Sequence, residues 1–219
     1  MGQKTLTRAA HHDLMPDPGE RPLPRVDESS DALFYRQPRF VTHIDDAAIR
    51  AVTGLYREVL PPGGRVLDLM SSWVSHLPPE VEYARVVGLG MNEAELARNE
   101  RLNAYVVHDL NADPRLPFAD AEFDACTICV SIDYLTRPVS VLREVARVLT
   151  PGGPLVVTFS NRCFPTKAVL PWHRLDDAGH VSLVSGWLKE AGFVAVEGLD
   201  RSPAPGRSDP LFAVVGHAG

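Results

Sequence analysis

The stretch Phe123–Ile132, FDACTICVSI, is almost wholly apolar, and the next thirty residues repeat the theme in two other forms. A strand with one wet face alternates apolar and polar side chains. A strand without that alternation is covered on both faces, and such strands belong to parallel sheets flanked by helices. The segment that follows, RPVSVLREVARVL, has Val139, Leu142, Val145, Ala146 and Leu149 on one helical face, with Pro138 suited to a first turn. TPGG stops it, and PLVVTFS is apolar again. Strand, crossover helix and strand in this order define a βαβ unit.

The same alternation extends in both directions. A helix begins at Asp45 or Asp46, repeats through Ile49, Val52, Tyr56, Val59 and Leu60, and ends at PPGG. RVLDLM and RVVGLG read as the first two strands, and NEAELARNERL as a helix with Leu96 and Leu102 inward. AYVVHDL is a third strand, FDACTICVSI the fourth and PLVVTFS the fifth. GHVSLVSGWLKEAG is a last helix with Gly192 at its end. FVAVEGL and LFAVVGH close the chain, joined by DRSPAPGRSDP. A parallel partner needs a crossover, usually helical. This proline-rich link has no helical pattern, so the last strand is expected to be antiparallel. The fold class is therefore α/β, a Rossmann-like doubly wound sheet of seven mostly parallel strands.

At 219 residues, the chain is long enough for one domain with a full core. Residues 1–26 are polar, carry four prolines and read as a flexible arm, followed by a single domain over 27–219 whose segment 27–60 acts as a lid. The formal net charge of −6 argues against a nucleic-acid partner. No apolar run is long enough to span a bilayer, and residues 1–25 contain no apolar signal core. Three cysteines without such a signal point to reduced thiols and a cytoplasmic protein. A monomer or homodimer is expected. Cys126 and Cys129 form a CxxC, but on a strand they point to opposite faces, which favours core packing over metal. His43, His76, His108, His173 and His180 show no metal spacing, so no metal is expected.

The turn after the first strand reads DLMSSWVSHLP and contains no glycine. A pyrophosphate requires close backbone N–H groups and a helix N-terminus, usually supplied by GxGxxG. Neither this turn nor VGLGMN supplies them, which opposes a dinucleotide or nucleotide-sugar ligand.

The block LPFADAEFDACTICVSIDYLTRPVSVLREVARVLTPGGPLVVTFSN resembles the class I S-adenosylmethionine-dependent methyltransferases, in particular the methyltransferase type 11 family. The resemblance covers about residues 45–216. It departs where the family usually reads DxGxGxG: counted from Asp68, the glycine positions fall on Met70, Ser72 and Val74. The acid that usually ends the second strand is replaced by Gly90.

The resemblance implies S-adenosyl-L-methionine as cofactor and a small-molecule methyl acceptor. It places Asp68 and Met70 near the donor's amino acid part, and gives Ser71 and Ser72 either a role there or one as caps of a short helix, SWVSHL. Gly90, Met91 and Asn92 match the ribose and adenine edge. Asp109, Leu110 and Asn111 match the adenine, or form a plain turn. Val130 and Ser131 end the fourth strand, where open α/β sheets place ligands. Tyr35, Arg39 and Phe40, with Phe34, match a lid, while Asn161, Arg162 and Lys167 are placed to hold an anionic acceptor. Asp133, Tyr134 and His173 are the candidate bases, whereas His76 reads more readily as a polar structural partner. A non-catalytic, S-adenosylmethionine-binding or regulatory module on the same fold is the alternative, motivated by the altered first turn.

Overall fold

The computed structural model describes the backbone of residues 4–5 and all of residues 20–219. Its strands are β1 (Lys4–Thr5), β2 (Arg65–Leu69), β3 (Arg85–Gly90), β4 (Ala104–Val107), β5 (Ala125–Cys129), β6 (Pro154–Phe159), β7 (Val194–Asp200) and β8 (Phe212–His217). Its α-helices are α1 (Asp31–Phe34), α2 (Asp46–Val59), α3 (Glu93–Leu96), α4 (Pro138–Val148) and α5 (Asp177–Glu190). The sheet order is β1-β4-β3-β2-β5-β6-β8-β7. All pairs through β6 are parallel, and β8 lies antiparallel between β6 and β7. The seven expected strands are present with the expected reversal, and the two-residue β1 pairs with β4 at the edge.

Side-chain alternation along the strands makes two cores. Leu67, Leu69, Cys126, Ile128, Leu155 and Val157 face α4 and α5. Val66, Val86, Ala125, Val156 and Val215 face α2, whose Ala48, Val52, Leu55 and Tyr56 are buried. Cys126 and Cys129 fall on opposite faces, as strand geometry requires.

Three elements differ from the periodic reading. SWVSHL is not helical: residues 70–84 cross from β2 to β3 without regular structure. The helix expected over 92–102 is only the single turn α3, capped by Asn92 through a bond from the Glu95 N–H. The expected lid also divides, because α2 is a core helix and only residues before it lie across the end of the sheet.

Most of the expected arm lies outside the described residues, but residues 20–26 are fastened to the domain. The Glu20 carboxylate accepts from the N–H groups of Val139 (3.1 Å) and Ser140 (2.6 Å). It thereby satisfies the first turn of α4, whose own N-cap residue, Arg137, makes no side-chain cap. A second fastening centres on the fully buried Lys167. Lys167 Nζ lies 3.2 Å from Asp27 and 3.1 Å from Asp31, and donates to the Ser29 carbonyl at 2.6 Å. Arg25 donates to both oxygens of Asp31 at 2.9 Å, and Asn111 donates to Asp31 at 2.8 Å. Two cations and two carboxylates balance, and together they bind the lid to the loops after β4 and β6. Removing Lys167 leaves the buried Asp31 carboxylate one cation short. Lys167→Met is therefore expected to lower stability by about 3 kcal/mol, measured by urea unfolding.

Candidate active site

The parallel strands end at one edge, and a cavity opens there beneath the lid. Asp68, Met70, Ser71 and Ser72 line it after β2, and Gly90, Met91 and Asn92 after β3. Asp109, Leu110 and Asn111 line it after β4, and Val130 and Ser131 after β5. All of the expected donor-binding positions thus meet in one place, although several of their side chains are engaged within the protein.

Asp68 explains how the turn holds its shape without glycines. Parallel pairing sets Asp68 opposite Thr127, on the same sheet face. Its buried carboxylate accepts from Thr127 Oγ1 (3.1 Å), Ser71 Oγ (2.5 Å) and Ser75 Oγ (2.7 Å). Asn99 in turn donates to Ser75 Oγ at 2.8 Å and to the Ser72 carbonyl at 3.0 Å. The turn is pinned by side chains at the cost of backbone strain: Met70 has φ +58° and His76 φ +52°. Val130, also on the cavity wall, has φ +44°, a rare conformation for a β-branched residue. Met70 stands where the family places its first glycine, so the left-handed backbone persists although the glycine does not.

The same turn accounts for the lost acid. The Ser71 N–H donates to the Leu89 carbonyl at 2.8 Å, which brings the two loops together. A Cβ at residue 90 would then lie 2.1 Å from the Ser71 carbonyl oxygen. Only glycine fits.

Ser71 donates to Asp68 and Ser72 Oγ accepts from the Trp73 N–H at 2.6 Å, so neither caps a helix. Asn92 donates to the carbonyls of Tyr35 (2.9 Å) and Arg36 (3.2 Å), clamping the lid. Asn111 is likewise occupied, donating to Asp31 and the Tyr134 carbonyl and accepting from Thr136. Asp109 uses Oδ1 for the N–H groups of Asn111 (3.0 Å) and Ala112 (3.1 Å).

The expected lid and acceptor residues separate. Tyr35 and Arg39 line the cavity. The Arg39 guanidinium stacks over Phe34 (4.6 Å to the centroid) and Phe164 (5.3 Å), and donates to the Phe34 carbonyl. Phe40 lies outside the cavity wall, edge-on to Trp73 and beneath Arg98. Lys167 is not on the rim at all, being consumed by the buried ion pairs. Asn161 is exposed, and Arg162 is exposed with only a loose 3.9 Å approach to Asp209.

Among the candidate bases, His173 is exposed on a 3-10 turn (Trp172–Arg174) away from the cavity wall. Tyr134 lines the cavity, but its hydroxyl accepts from the Phe164 N–H at 2.8 Å, and burial raises its pKa far above the usual range. Asp133 lies behind the wall, almost fully buried, with Oδ2 unpartnered and its pKa pushed up to about 7 by that burial.

Several cavity residues were not assigned a role by the sequence: Val41, Thr42, His43, Val74, Glu95 and Phe164. The lid segment contained three of them, but no spacing rule singles out residues of an irregular strap. His76, read as a structural partner, is also on the wall.

Charge and hydrogen-bond capacity discriminate between ligands. Asp31, Asp68, Glu95 and Asp109 line the cavity against one cationic residue, Arg39. Asp31 is neutralised by its own partners, and the balance still favours a cation. Ser131 Oγ is buried on this wall without a partner. No helix N-terminus follows β2 to receive a phosphate. A ligand with a sulfonium, an amino acid end and no phosphate fits these residues.

A pocket of this kind at the carboxyl edge of a seven-stranded sheet with a reversed last strand is the arrangement of class I methyltransferases. The comparisons agree. The profile of the methyltransferase-domain family matches residues 71–157, beginning just past Asp68 and Met70. A demethylmenaquinone methyltransferase of Clavibacter sepedonicus is 30% identical over 216 residues, covering 84% of this chain and 86% of that protein. One of Renibacterium salmoninarum is 32% identical over 147 residues, covering 64% and 56%. The chain spans about half the length of that relative and of the Mycobacterium relatives it matches. Among solved structures, the methyltransferase in complex with the Haloferax volcanii Trm112 activator superposes with a TM-score of 0.62 at 17% identity, covering 79% of this chain and 90% of that one. The chain belongs to the class I S-adenosylmethionine-dependent methyltransferases.

Burial pushes the Asp68 carboxyl up to about 6 from 3.8, and its three hydroxyl donors offset this only in part. The folded protein therefore holds this proton more tightly than the unfolded chain does. The associated stability is complete below the unfolded value and is lost as pH rises through about 6. In urea unfolding, wild type is expected to lose about 2 kcal/mol relative to Asp68→Asn between pH 4 and 7.

Proposed function

We propose that the protein transfers a methyl group from S-adenosylmethionine to a small-molecule acceptor. The observation that carries this reading is the meeting of the four strand-end loops in one acid-rich cavity, with no helix N-terminus after β2, beneath a clamped lid. Bound there, S-adenosylmethionine would supply an electrophilic methyl on a cationic sulfur. The chain's own part is to orient and to exclude water.

Asp68, Ser71, Ser72 and Met70 would face the amino acid end, where a ligand ammonium offers Asp68 the positive charge its hydroxyl partners lack. The backbone at Gly90 and Met91 would run along the ribose. The free Oδ2 of Asp109 would accept from the adenine amino group, with Leu110 against the ring, while Asn92 and Asn111 hold the walls. Tyr35 and Arg39 would close the lid over the reacting atoms. The similarity to demethylmenaquinone methyltransferases supports a small aromatic acceptor, and the aromatic wall of Tyr134 and Phe164 suits one. Net charge and the absence, among the described residues, of a helix long and apolar enough to cross a membrane support a cytoplasmic enzyme without a nucleic-acid partner.

Calorimetry tests the reading. Wild type is expected to bind S-adenosylmethionine and S-adenosylhomocysteine but not NAD. Asp109→Asn keeps the turn-forming oxygen and loses the second acceptor, and is expected to weaken donor binding about tenfold without changing the melting temperature. Donor binding without transfer to any phenol, thiol, amine or acid would favour the regulatory alternative.

A further inference from the structure

Ser75 is buried and locked, donating to Asp68 at 2.7 Å and accepting from Asn99 at 2.8 Å. Its neighbours Val74 and His76 are turned the other way and line the cavity. The His76 carbonyl is held in turn by Thr53 Oγ1 at 2.9 Å, across the loop from α2. With φ at +52°, the backbone here is strained, and it is fixed by hydrogen bonds on both sides. The result of that constraint is one imidazole delivered into the cavity.

His43 meets it from the lid. It packs edge-on against Phe164, 5.4 Å between centroids, and it is close enough for its charge to act on His76. Neither ring has a hydrogen-bond partner among the described residues. His108 and His180, by contrast, are each bonded to a backbone carbonyl, of Asp113 and Trp172. Burial lowers both cavity histidines, His76 to about 4, so each is neutral near pH 7 with a lone pair available. Among the described residues, no group of three or more His, Cys, Asp or Glu is placed to hold a metal ion.

We propose that His76 is the catalytic base of the transfer, accepting the proton of an aromatic hydroxyl whose ring lies against Phe164 and Tyr134. This deepens the methyltransferase reading and rests on it. The acceptor oxygen forms its bond to the methyl carbon, and the S–C bond breaks with its electron pair left on sulfur. The O–H proton passes to His76. One positive charge leaves sulfur as one arrives on imidazole, so the cavity's total charge is unchanged. Glu95, whose charge acts on His43, lines the same cavity. A base of modest strength suffices, because the alternative carrier of the proton is an ether oxygen, which is far less basic than imidazole.

His76→Asn removes the base yet keeps a residue type that tolerates left-handed backbone. The expected result is a loss of at least about 100-fold in transfer to 1-naphthol. Transfer to thiophenol, which ionises unaided, is expected to change less than about threefold, and calorimetric affinity for S-adenosylmethionine not at all. Independently of turnover, ¹⁵N-imidazole spectra of wild type loaded with S-adenosylhomocysteine are expected to show the His76 resonance moving when 1-naphthol is added. Transfer to 1-naphthol that survives His76→Asn, or a His76 resonance that does not move, overturns the assignment of the base alone. Failure of wild type to bind S-adenosylmethionine sinks the underlying reading, and this one with it.

Discussion

A carboxylate with three hydroxyl partners and no cation lies under the first turn of the sheet, and most of the site's geometry can be traced to it. Asp68 draws Ser71 and Ser75 toward the sheet and is itself set by its register with Thr127. Those bonds take over what glycines do elsewhere in the family, since they hold the backbone in a left-handed turn at Met70 that a side chain would otherwise disfavour. They also bring the Ser71 carbonyl against Gly90, which excludes any side chain there. Once the turn is closed by side chains, the second strand has no room for an acid.

The lid depends on a different kind of electrostatics. Lys167, Arg25, Asp27 and Asp31 form a neutral cluster around the buried Lys167 with Asn111 attached, so the strap's position is tied to the loops that follow β4 and β6. Asn92 adds a tie to the loop after β3. The strap is therefore held by polar anchors on the loops after β3, β4 and β6, while Phe34, Arg39 and Phe164 stack between them. Asp68 is poorly compensated and responsive to an arriving charge. Asp31 is fully compensated, and its pKa is lowered rather than raised. The protein thus places its unbalanced acid where a ligand binds and its balanced acid where the scaffold must not move.

The fold was legible because burial imposes a repeat. Unbroken apolar strands and a one-faced helix can be recognised without knowing what they touch, and the reversed last strand followed from a proline-rich link too irregular to cross over. SWVSHL and NEAELARNERL misled for the opposite reason. Both contain good helix formers and capping residues, yet Ser71, Ser75 and Asn99 spend their side chains on tertiary bonds that no local pattern records. Lys167 is the clearest case: a lysine in a loop is normally solvated, and only Asp27 and Asp31, over a hundred residues away, make its burial possible. Strand-end residues could be placed at the site because topology sends every parallel strand to the same edge. Residues of the strap and of the 70–84 crossing could not, because nothing periodic fixes their direction.

That contrast bears on the two histidines. In the sequence, His173 is the imidazole that stands as a candidate base, and His76 reads more readily as a polar structural partner. The structure separates them by what their neighbours do. His108 and His180 have backbone partners and are accounted for by the fold. His76 has none among the described residues, yet the residues around it are over-determined: Ser75 is bonded twice, the His76 carbonyl is bonded once, and the backbone between them is strained. A side chain that a protein holds rigidly without using its polar atoms internally has those atoms free for a ligand. The same logic applied to Ser71 gives the reverse result, since its hydroxyl is committed to Asp68. Ser71 builds the turn with its hydroxyl, and Ser75, bonded on both sides, fixes the backbone that carries His76 to the cavity.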